Sequence, residues 1–275
     1  MSKTILITGA SSGIGKATAK TFQEKGWNVI ATMRTPEKEE ELTQLDRVLV
    51  TRLDVQDADS IQSAIEQGIK QFGKIDVLLN NAGYGLIGTF ESIDHDAIQR
   101  QFGVNVFGLF DVTRALLPHM RSNKDGIIMN VTSVGGRITF PLISMYHSTK
   151  FAVEGFSESL SYELEPFNIR VKIIEPGGVA TDFGSRSMVM QHDENLAPEY
   201  NTIVAKQMEL QQEMWKPENM STPSLVADVI YSAATDDTPT LRYIAGADAE
   251  QMLGARKTMD DTQFMTMIKA NMQLN

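Results

Sequence analysis

A tyrosine and a lysine stand four positions apart in the stretch SMYHSTKFAVEGF, as Tyr146 and Lys150. Apolar residues recur downstream at helical spacing, which predicts a helix over about 146–165. Residues four apart on a helix share a face, within reach of one ligand. A free tyrosine titrates near about 10, and a nearby ammonium group lowers that pKa. The pair is therefore a candidate proton donor, with a surface tyrosine beside a solvated lysine as the alternative.

A glycine-rich stretch, TGASSGIG, occupies residues 8–15. Gly9, Gly13 and Gly15 have the spacing GxxxGxG, which differs from the GxGxxG dinucleotide fingerprint. The physics is shared, because glycines let the backbone turn tightly and bring amide groups against a pyrophosphate at a helix N-terminus. The alternative is an ordinary strand-to-helix turn. Because a predicted strand precedes the stretch and a predicted helix follows it, we expect it to bind dinucleotide phosphates.

The end of the second predicted strand, ATMRT, bears on the choice of dinucleotide. An acidic side chain at this point bonds the adenosine ribose of NAD, whereas an arginine accepts the 2′-phosphate of NADP. Thr32 and Met33 offer no carboxylate, and Arg34 follows at once. A plain surface arginine is the alternative. We expect NADP(H) to be preferred, with NAD(H) as the second choice.

Strand-like and helical segments alternate along the chain and must position these motifs. Continuous apolar runs predict buried strands at 4–8, 28–33, 47–55, 76–80, 127–133 and 169–176, with a seventh at 241–245. Amphipathic patterns predict helices at about 14–25, 57–72, 94–121, 146–165 and 223–234. Buried strands separated by helices predict an α/β fold, a doubly wound parallel sheet of about seven strands with helices on both faces.

Two regions depart from this alternation, but no Gly/Ser linker separates either from the rest. We therefore expect a single domain over residues 1–275, with a substrate lid inserted at about 182–222 and a methionine-containing helical tail at about 246–275. Adaptable side chains in the insertion favour an apolar substrate, such as a steroid, retinoid, fatty or aryl ketone. The alternative is that they only pack the insertion onto the domain. These side chains are Met188, Met190, Tyr200, Met208, Met214, Trp215 and Met220.

Composition excludes several classes of function. The net charge of −10 opposes binding to nucleic acid or to an anionic membrane. The chain has no cysteine, so disulfides, thiolate metal sites and cysteine nucleophiles are excluded. Apart from His147, which stands between Tyr146 and Lys150, the histidines are at 95, 119 and 192 and are too scattered to predict a metal site. The N-terminus lacks a signal-peptide pattern and no apolar run approaches roughly 20 residues, so we expect a cytoplasmic protein without a membrane span.

Five motifs lie in one order on the chain: the glycine loop, NNAG at 80–83, Asn105, Ser133 and YxxxK at 146–150. Together they resemble the short-chain dehydrogenase/reductase family, in the branch with TGxxxGxG and YxxxK, over roughly residues 3–245. The resemblance implies a Rossmann-type doubly wound sheet, in agreement with the strand count. It also implies an NAD(P)-dependent oxidoreductase that transfers a hydride between the nicotinamide and a carbonyl or secondary alcohol.

The resemblance implies a role for each motif residue. Tyr146 would protonate the carbonyl oxygen and Ser133 would hydrogen-bond to it. Lys150 would lower the pKa of Tyr146 and bind the nicotinamide ribose, and Asn105 would hold a water that connects Lys150 to solvent. Besides Arg34, Tyr146 and Lys150, the cofactor would contact Thr8, Gly9, Ser11, Ser12, Gly13, Ile14, Gly15, Asp54, Val55, Asn81, Ala82, Gly83, Pro176, Gly177, Val179 and Thr181.

Two other functions stay open. A sugar-nucleotide epimerase or dehydratase with bound NAD uses the same tyrosine and lysine, but such enzymes usually carry TGxxGxxG and a larger C-terminal domain. A non-catalytic dinucleotide-binding redox sensor tends to lose the tyrosine or the serine, and both are present here. His147, inside the motif, is interpreted as a neighbour without a chemical role, and the carboxylates from Glu37 to Glu41 as solvated.

The helices predicted at 94–121 and 146–165 carry more large apolar residues than one sheet face needs. These are Phe102, Val106, Phe107, Phe110, Phe151, Phe156 and Leu160. Enzymes of the similar family pair through these helices, so the resemblance implies a homodimer or a homotetramer.

Overall fold

The computed structural model describes residues 2–183, 187–193, 195, 198–214 and 216–274. The strands are β1 Thr4–Ile7, β2 Asn28–Met33, β3 Val48–Arg52, β4 Val77–Asn80, β5 Gly85–Ile87, β6 Gly126–Val131, β7 Ile169–Pro176, β8 Met188–Met190 and β9 Arg242–Ala245. The helices are α1 Gly13–Glu24, α2 Ala58–Phe72, α3 His95–Phe102, α4 Leu109–Asn123, α5 Ser144–Leu164, α6 Asn201–Met214, α7 Pro223–Thr235, α8 Ala247–Thr258 and α9 Asp261–Asn271.

The central sheet has seven parallel strands in the order β3-β2-β1-β4-β6-β7-β9. The chain winds outward from β1 in one direction to β3, then returns to β4 on the other side of β1 and winds the opposite way. In open parallel sheets the ligand crevice lies outside the carboxyl ends of the strands at such a reversal. The predicted Rossmann-type doubly wound fold is confirmed.

Apolar side chains cover the sheet on both faces. On one face Phe22 of α1 packs against Trp27 with ring centroids 5.0 Å apart, and Ile230 of α7 belongs to the same core. On the other face Leu116 of α4 and Leu160 of α5 belong to the second core. Burial on both sides explains why the strands appear in the sequence as continuous apolar runs.

The helix predicted at 94–121 consists of three parts. α3 is followed by a π-helical segment, Gly103–Gly108, which leads directly into α4. The wider turn of a π-helical segment accommodates an extra residue and is frequent at functional sites. Asn105 lies buried inside this segment. The predicted strand 47–55 is also shorter than expected, because β3 ends at Arg52.

The insertion predicted at 182–222 contains β8 and α6. β8 pairs in parallel with β5 in a separate two-stranded sheet, with Gly85 opposite Met188. The two ends of the insertion meet at Ser221, whose carbonyl accepts from the backbone N–H of Ala180 at 2.9 Å and whose N–H donates to Gly178 O at 2.9 Å. Trp215 lies outside the described residues, and so does the side chain of Met214.

The tail predicted at 246–275 forms α8 and α9. Asp260 caps α9 in a capping box with Gln263. Leu253 and Phe264 from this tail share an apolar cluster with Ile138, which lies between β6 and α5. None of the helices in the described part of the chain has the length and apolarity of a bilayer-spanning segment.

Candidate active site

Tyr146 and Lys150 lie in the first two turns of α5. The Nζ atom of Lys150 is 5.6 Å from the centroid of the Tyr146 ring, so the two side chains share a face as predicted. Lys150 is only 8% exposed, and its Nζ donates a hydrogen bond to the backbone oxygen of Val131 at 2.9 Å. A solvated lysine beside a surface tyrosine is thereby excluded.

Burial shifts the pKa values of this pair in opposite directions. Burial lowers the pKa of Lys150 to about 8, although the carboxylate of Glu154 raises it. Burial raises the pKa of Tyr146 to about 12, and a hydrogen bond with Ser133 opposes the shift only in part. The expectation that Lys150 lowers the pKa of Tyr146 below its ordinary value is therefore wrong in this structure. Removing the phenolate from water destabilises it by more than the neighbouring groups stabilise it. Tyr146 keeps its proton at neutral pH.

Ser133 follows β6 and begins a short helical turn, Val134–Gly136. Its Oγ accepts a hydrogen bond from the backbone N–H of Gly135 at 3.0 Å. One acceptor position of the hydroxyl is thus occupied by the backbone, which restricts the directions left for the hydroxyl proton. Ser133 and Tyr146 both line the cavity described below.

His147 is buried behind Ser133, and both of its ring nitrogens have backbone partners. Nδ1 is 2.8 Å from the carbonyl oxygen of Gly135, and the N–H of Phe140 points at Nε2 at 3.0 Å. Because Phe140 donates, Nε2 must accept and Nδ1 carries the proton, so these partners assign the neutral Nδ1–H tautomer. Burial also lowers the pKa of His147. The residue interpreted as chemically idle therefore connects α5 to the turn that holds Ser133.

The side-chain amide of Asn105 is hydrogen-bonded to other residues of the protein. Its Oδ1 accepts from the backbone N–H of Tyr84 at 3.0 Å, and its Nδ2 donates to Tyr84 O at 2.9 Å and to Thr149 Oγ1 at 3.2 Å. The π-helical segment is thereby tied both to the loop after β4 and to α5. The water-holding role implied for Asn105 stays a prediction.

The carboxyl ends of β1 and β4 are joined through Thr8 and Asn81. The Oγ1 atom of Thr8 accepts from the backbone N–H groups of Asn81 at 2.9 Å and Ala82 at 3.1 Å. In return, Asn81 Nδ2 donates to Thr8 O at 2.9 Å and to Gly9 O at 3.1 Å. NNAG and the glycine loop are therefore one hydrogen-bonded unit, and Gly83 lies next to the Asn105 side chain.

The glycine loop has the conformation that requires glycine. Gly9 has a φ of +68° and Gly13 a φ of +55°, both in the left-handed region. A Cβ atom at Gly15 would lie 2.4 Å from Gly9 O, so the first turn of α1 packs too closely for any side chain. A Cβ atom at Gly13 would lie 3.2 Å from Thr181 Cγ2. The loop, with Ser11, Ser12 and Ile14 leading into α1, thus has the narrow backbone cradle that a pyrophosphate needs.

Arg34 is exposed immediately after β2 and has no hydrogen bond or ion pair with the described residues. Asp54 and Val55 follow β3 on the neighbouring strand connection. The Asp54 carboxylate accepts from the backbone N–H of Gln56 at 3.1 Å, and Val55 is buried. An unpaired guanidinium thus lies at the sheet edge where the adenosine end of a dinucleotide binds.

Glu39 corrects the expectation that the carboxylates at 37–41 are solvated. It is 8% exposed and accepts a hydrogen bond from Lys16 Nζ at 2.9 Å. Its Oε1 also accepts from the backbone N–H groups of Glu41 and Leu42. Burial raises the pKa of the Glu39 carboxyl, but the hydrogen bonds from Leu42 and Lys16 together lower it by more, so the net shift of the pKa is downward. This carboxylate anchors the segment after Arg34 onto α1.

The segment after β7 is held by the last strand and by the tail. The N–H of Gly177 donates to Ala245 O at 3.1 Å, and the N–H of Gly178 donates to Asp248 Oδ2 at 2.7 Å. Thr181 Oγ1 accepts from the N–H of Phe183 at 3.1 Å. The segment that is predicted to contact the nicotinamide end is therefore held in place by β9 and α8. Its predicted contact residues are Pro176, Gly177, Val179 and Thr181.

A cavity of about 980 Å³ opens in front of Ser133 and Tyr146. Phe183 borders it, with its ring centroid 6.2 Å from that of Tyr146. Six methionines line it, from the insertion and the tail together: Met188, Met190, Met208, Met220, Met252 and Met272. Residues 140–143 complete the apolar lining. The two tail methionines were not among the predicted residues, because nothing in their local sequence indicates that α8 and α9 fold back onto the site.

Comparison with known proteins decides the family. The family model described as short chain dehydrogenase matches residues 3–191. The chain belongs to the short-chain dehydrogenase family. An uncharacterized oxidoreductase of Schizosaccharomyces pombe is 40% identical over 242 residues, which cover 88% of this chain and all of that protein. A 3-ketodihydrosphingosine reductase of Bacteroides thetaiotaomicron is 41% identical over 179 residues, 65% of each chain.

Solved structures agree with this assignment. A short-chain dehydrogenase from Streptomyces avermitilis superposes with a TM-score of 0.83 at 34% identity, over 94% of this chain and 92% of that one. ElxO with bound NADP gives 0.71 at 28% identity, covering 89% and 98%. A 3-ketoacyl-(acyl-carrier-protein) reductase from Brucella melitensis with NADH gives 0.75 at 26%, covering 90% and 98%.

This short-chain dehydrogenase is therefore an oxidoreductase of CH–OH and C=O groups, with a nicotinamide dinucleotide as its cofactor. The glycine cradle and the crevice between β1 and β4 fit that cofactor by geometry. The preferred dinucleotide, the substrate, the oligomeric state and the cytoplasmic location stay predictions.

Proposed function

We propose that this short-chain dehydrogenase transfers a hydride between NADP(H) and the carbonyl carbon, or secondary alcohol carbon, of an apolar small molecule. One observation carries the proposal: Ser133 and Tyr146 open onto a cavity of about 980 Å³ whose wall contains six methionines. Substrate cavities that bury a drug-sized molecule have volumes of roughly 300–1,000 Å³ and are lined mainly by apolar side chains. Methionine adapts to irregular apolar shapes.

In this proposal the chain's own residues bind, orient and protonate. Residues 8–15 hold the phosphates and Lys150, with Thr181 and Val179, holds the nicotinamide end; the cofactor supplies or accepts the hydride. In the direction of reduction, Tyr146 gives its proton to the oxygen that gains charge, and Ser133 donates a hydrogen bond to the same oxygen. A Tyr146 pKa of about 12 keeps this donor loaded at neutral pH. General acid catalysis of this kind contributes roughly 10²–10⁴-fold.

The preference for NADP(H) rests on Arg34. Its guanidinium is exposed and unpaired among the described residues, whereas nearby Lys16 and Lys20 form ion pairs with Glu39 and Glu41. A free arginine can bond a 2′-phosphate with two parallel N–H groups at no cost in broken ion pairs. No carboxylate at the end of β2 competes for that position.

The test is a coupled measurement of binding and turnover. NADPH and NADH are titrated against the protein, and oxidation of each at 340 nm is then followed with a panel of alkyl, aryl and polycyclic ketones. We expect tighter binding of NADPH and turnover of at least one large apolar ketone. An epimerase or dehydratase would show no net dinucleotide consumption, and a redox sensor would bind dinucleotide without turnover. Either result with every ketone would contradict the proposal.

We also propose a cytoplasmic homodimer or homotetramer. Phe107 and Phe151, on the two predicted pairing helices, are 52% and 44% exposed. Val106 and Leu160, by contrast, are buried within the chain and cannot take part. Light scattering at tens of micromolar distinguishes a monomer from these assemblies, and fractionation of cells that express the protein tests the location.

A further inference from the structure

Among the described residues that line the cavity, the charged side chains all carry the same sign. Asp182 and Asp248 contribute carboxylates, and no lysine or arginine is present among the described lining residues. His147 also lines the cavity, but both of its ring nitrogens are bonded to the backbone, and the partners assign a neutral ring. A negatively charged substrate would find no counter-ion along the described part of this wall.

Asp248 has a fixed position on the wall of the cavity. Its Oδ2 accepts from the backbone N–H of Gly178 at 2.7 Å, two residues after β7. A Cβ atom at Gly177 would lie 2.1 Å from that carboxylate, and one at Gly246 would lie 2.7 Å from it. The backbone on both sides thus leaves room for this carboxylate. Its Oδ1 has no hydrogen-bond partner among the described residues.

We propose that Asp248 is a specificity-determining residue that makes the cavity selective for charge. Resting on the proposed function, the preferred substrate is an apolar carbonyl compound that carries an ammonium group, followed by its neutral analogue, while carboxylate or phosphate analogues are rejected. Apolar walls strengthen the interaction between charges, because the effective dielectric constant is lower than in water. Charge patterns of this kind contribute to specificity mainly by penalising the wrong ligand.

The experiment uses three matched ketones that differ only in the terminal group. One ends in trimethylammonium, one in its uncharged isostere tert-butyl, and one in carboxylate, each with spacers of increasing length. Turnover with NADPH gives kcat/KM. Dissociation constants of the corresponding alcohols, measured by calorimetry on the NADPH-loaded protein, report the charge preference even when turnover is slow. Failure of all turnover would contradict the proposed function, whereas the order of the dissociation constants tests the charge selectivity separately.

The variant Asp248→Asn removes the charge but keeps an oxygen that can accept from Gly178. In the wild type we expect the ammonium compound to exceed the neutral one by about tenfold, and the carboxylate to fall below it by at least as much. Asp248→Asn should reduce each of these two ratios by at least about threefold, with Asp182 as the remaining carboxylate. Asp46→Asn, an exposed aspartate remote from the cavity, makes the same change in net charge and should leave the ratios unaltered. Equal binding of ammonium and carboxylate by the wild type would overturn the proposal, as would unchanged ratios in Asp248→Asn.

Discussion

The two sides of the cavity are built differently. On one side, Ser133 lines the cavity, and this residue, Lys150 and Asn105, all predicted to be catalytic, are each bonded to backbone atoms of the sheet edge or its loops. On the opposite side, the insertion and the tail present methionine side chains, and few hydrogen bonds join the described residues of the two segments; Gln207 Nε2 to Met272 O, at 2.8 Å, is one. Directional bonds hold the side chains that are proposed to react, and adaptable side chains line the part of the cavity that is proposed to receive the substrate.

This difference predicts how each side responds to substitution. A hydrogen-bonded group loses its function when one partner changes, because a buried donor or acceptor is then left without a partner. A methionine wall tolerates changes of shape at a modest cost, because thioether side chains repack. Effects of substitution should therefore decrease from the sheet edge to the methionine wall.

The largest effect is expected at Tyr146. Tyr146→Phe removes the transferable proton but keeps the ring, so single-turnover hydride transfer from NADPH should fall by at least about a hundredfold. Binding of NADPH should change little. The matched control is Tyr162→Phe, which alters an exposed tyrosine on the same helix. A rate within tenfold of wild type would mean that another group donates the proton.

Lys150→Ala should lower both the rate and the affinity for dinucleotide, since it removes a cation that is implied to contact the ribose as well as Tyr146. This pattern separates the two residues. If Lys150→Ala reduced the rate alone, the implied ribose contact would be wrong.

A smaller but clear effect is expected at His147. His147→Phe keeps a buried ring but loses both backbone contacts, so Ser133 should lose its fixed orientation and kcat should fall about tenfold to a hundredfold. His147→Asn retains a donor near Gly135 and should recover part of that loss. KM should change little in either variant. The control is His95→Asn, on the exposed surface of α3. Equal kcat values for the Phe and Asn variants would assign His147 to general packing.

Arg34→Ala should reduce the preference for NADPH over NADH by about tenfold or more, because a charge-assisted contact to phosphate is worth about 1.5–3 kcal/mol. Affinity for NADH should stay the same. Arg121→Ala removes an exposed arginine at the far end of α4 and serves as the control. Equal dissociation constants for the two dinucleotides in the wild type would refute the preference.

The pH dependence of kcat/KM tests the role of the Lys150 charge, and the expected changes in rate are several-fold. The pKa of Lys150 is about 8 and Glu154 raises it, so the lysine charge is lost as the pH rises through that value. Glu154→Gln should lower this pKa and move the alkaline decline of kcat/KM to lower pH. Glu158→Gln, one turn further along α5, is the control. A decline that stays in place in Glu154→Gln would exclude Lys150 as its origin.

The smallest effects are expected on the methionine wall. Met188→Leu should change kcat/KM for a large apolar ketone by about twofold to fivefold and leave small ketones unaffected, as volume-conserving swaps cost less than about 1.5 kcal/mol. Met265→Leu, 59% exposed on α9 and away from the cavity, is the control. Losses comparable to that of Tyr146→Phe would show that the wall, like the sheet edge, is rigid.

Features defined by local sequence could be predicted, whereas features defined by contacts between distant segments could not. The bounds of β2 and β7 were predicted to the residue, because each is rich in β-branched and other apolar residues and has a turn-forming glycine close by, Gly26 before β2 and Gly177 after β7. The parallel pairing of β5 with β8 was not predicted. Each strand has three residues, which is too short to show a residue periodicity, and about a hundred residues separate the two, so no turn sequence connects them.

The contacts around the site that could not be predicted share a physical cause. Glu39, His147 and Asp248 are defined by partners distant in sequence, namely Lys16, the Gly135–Phe140 turn and Gly178. A local pattern records which side chain is present but not which backbone group will meet it. The motif residues could be proposed from the sequence, because most of them follow a predicted strand or begin a predicted helix and therefore lie at one edge of the sheet.

The closure of the insertion at Ser221 has a consequence for how such enzymes diversify. Because Ser221 is bonded to both Gly178 and Ala180, the forty or so residues of the insertion begin and end at one point, between β7 and α7. The entropy of closing a loop grows only with the logarithm of its length. Segments of other lengths and compositions can therefore occupy this position at little thermodynamic cost. New substrate ranges can thus arise by exchange of one peptide cassette, while the proton-transfer machinery is inherited unchanged.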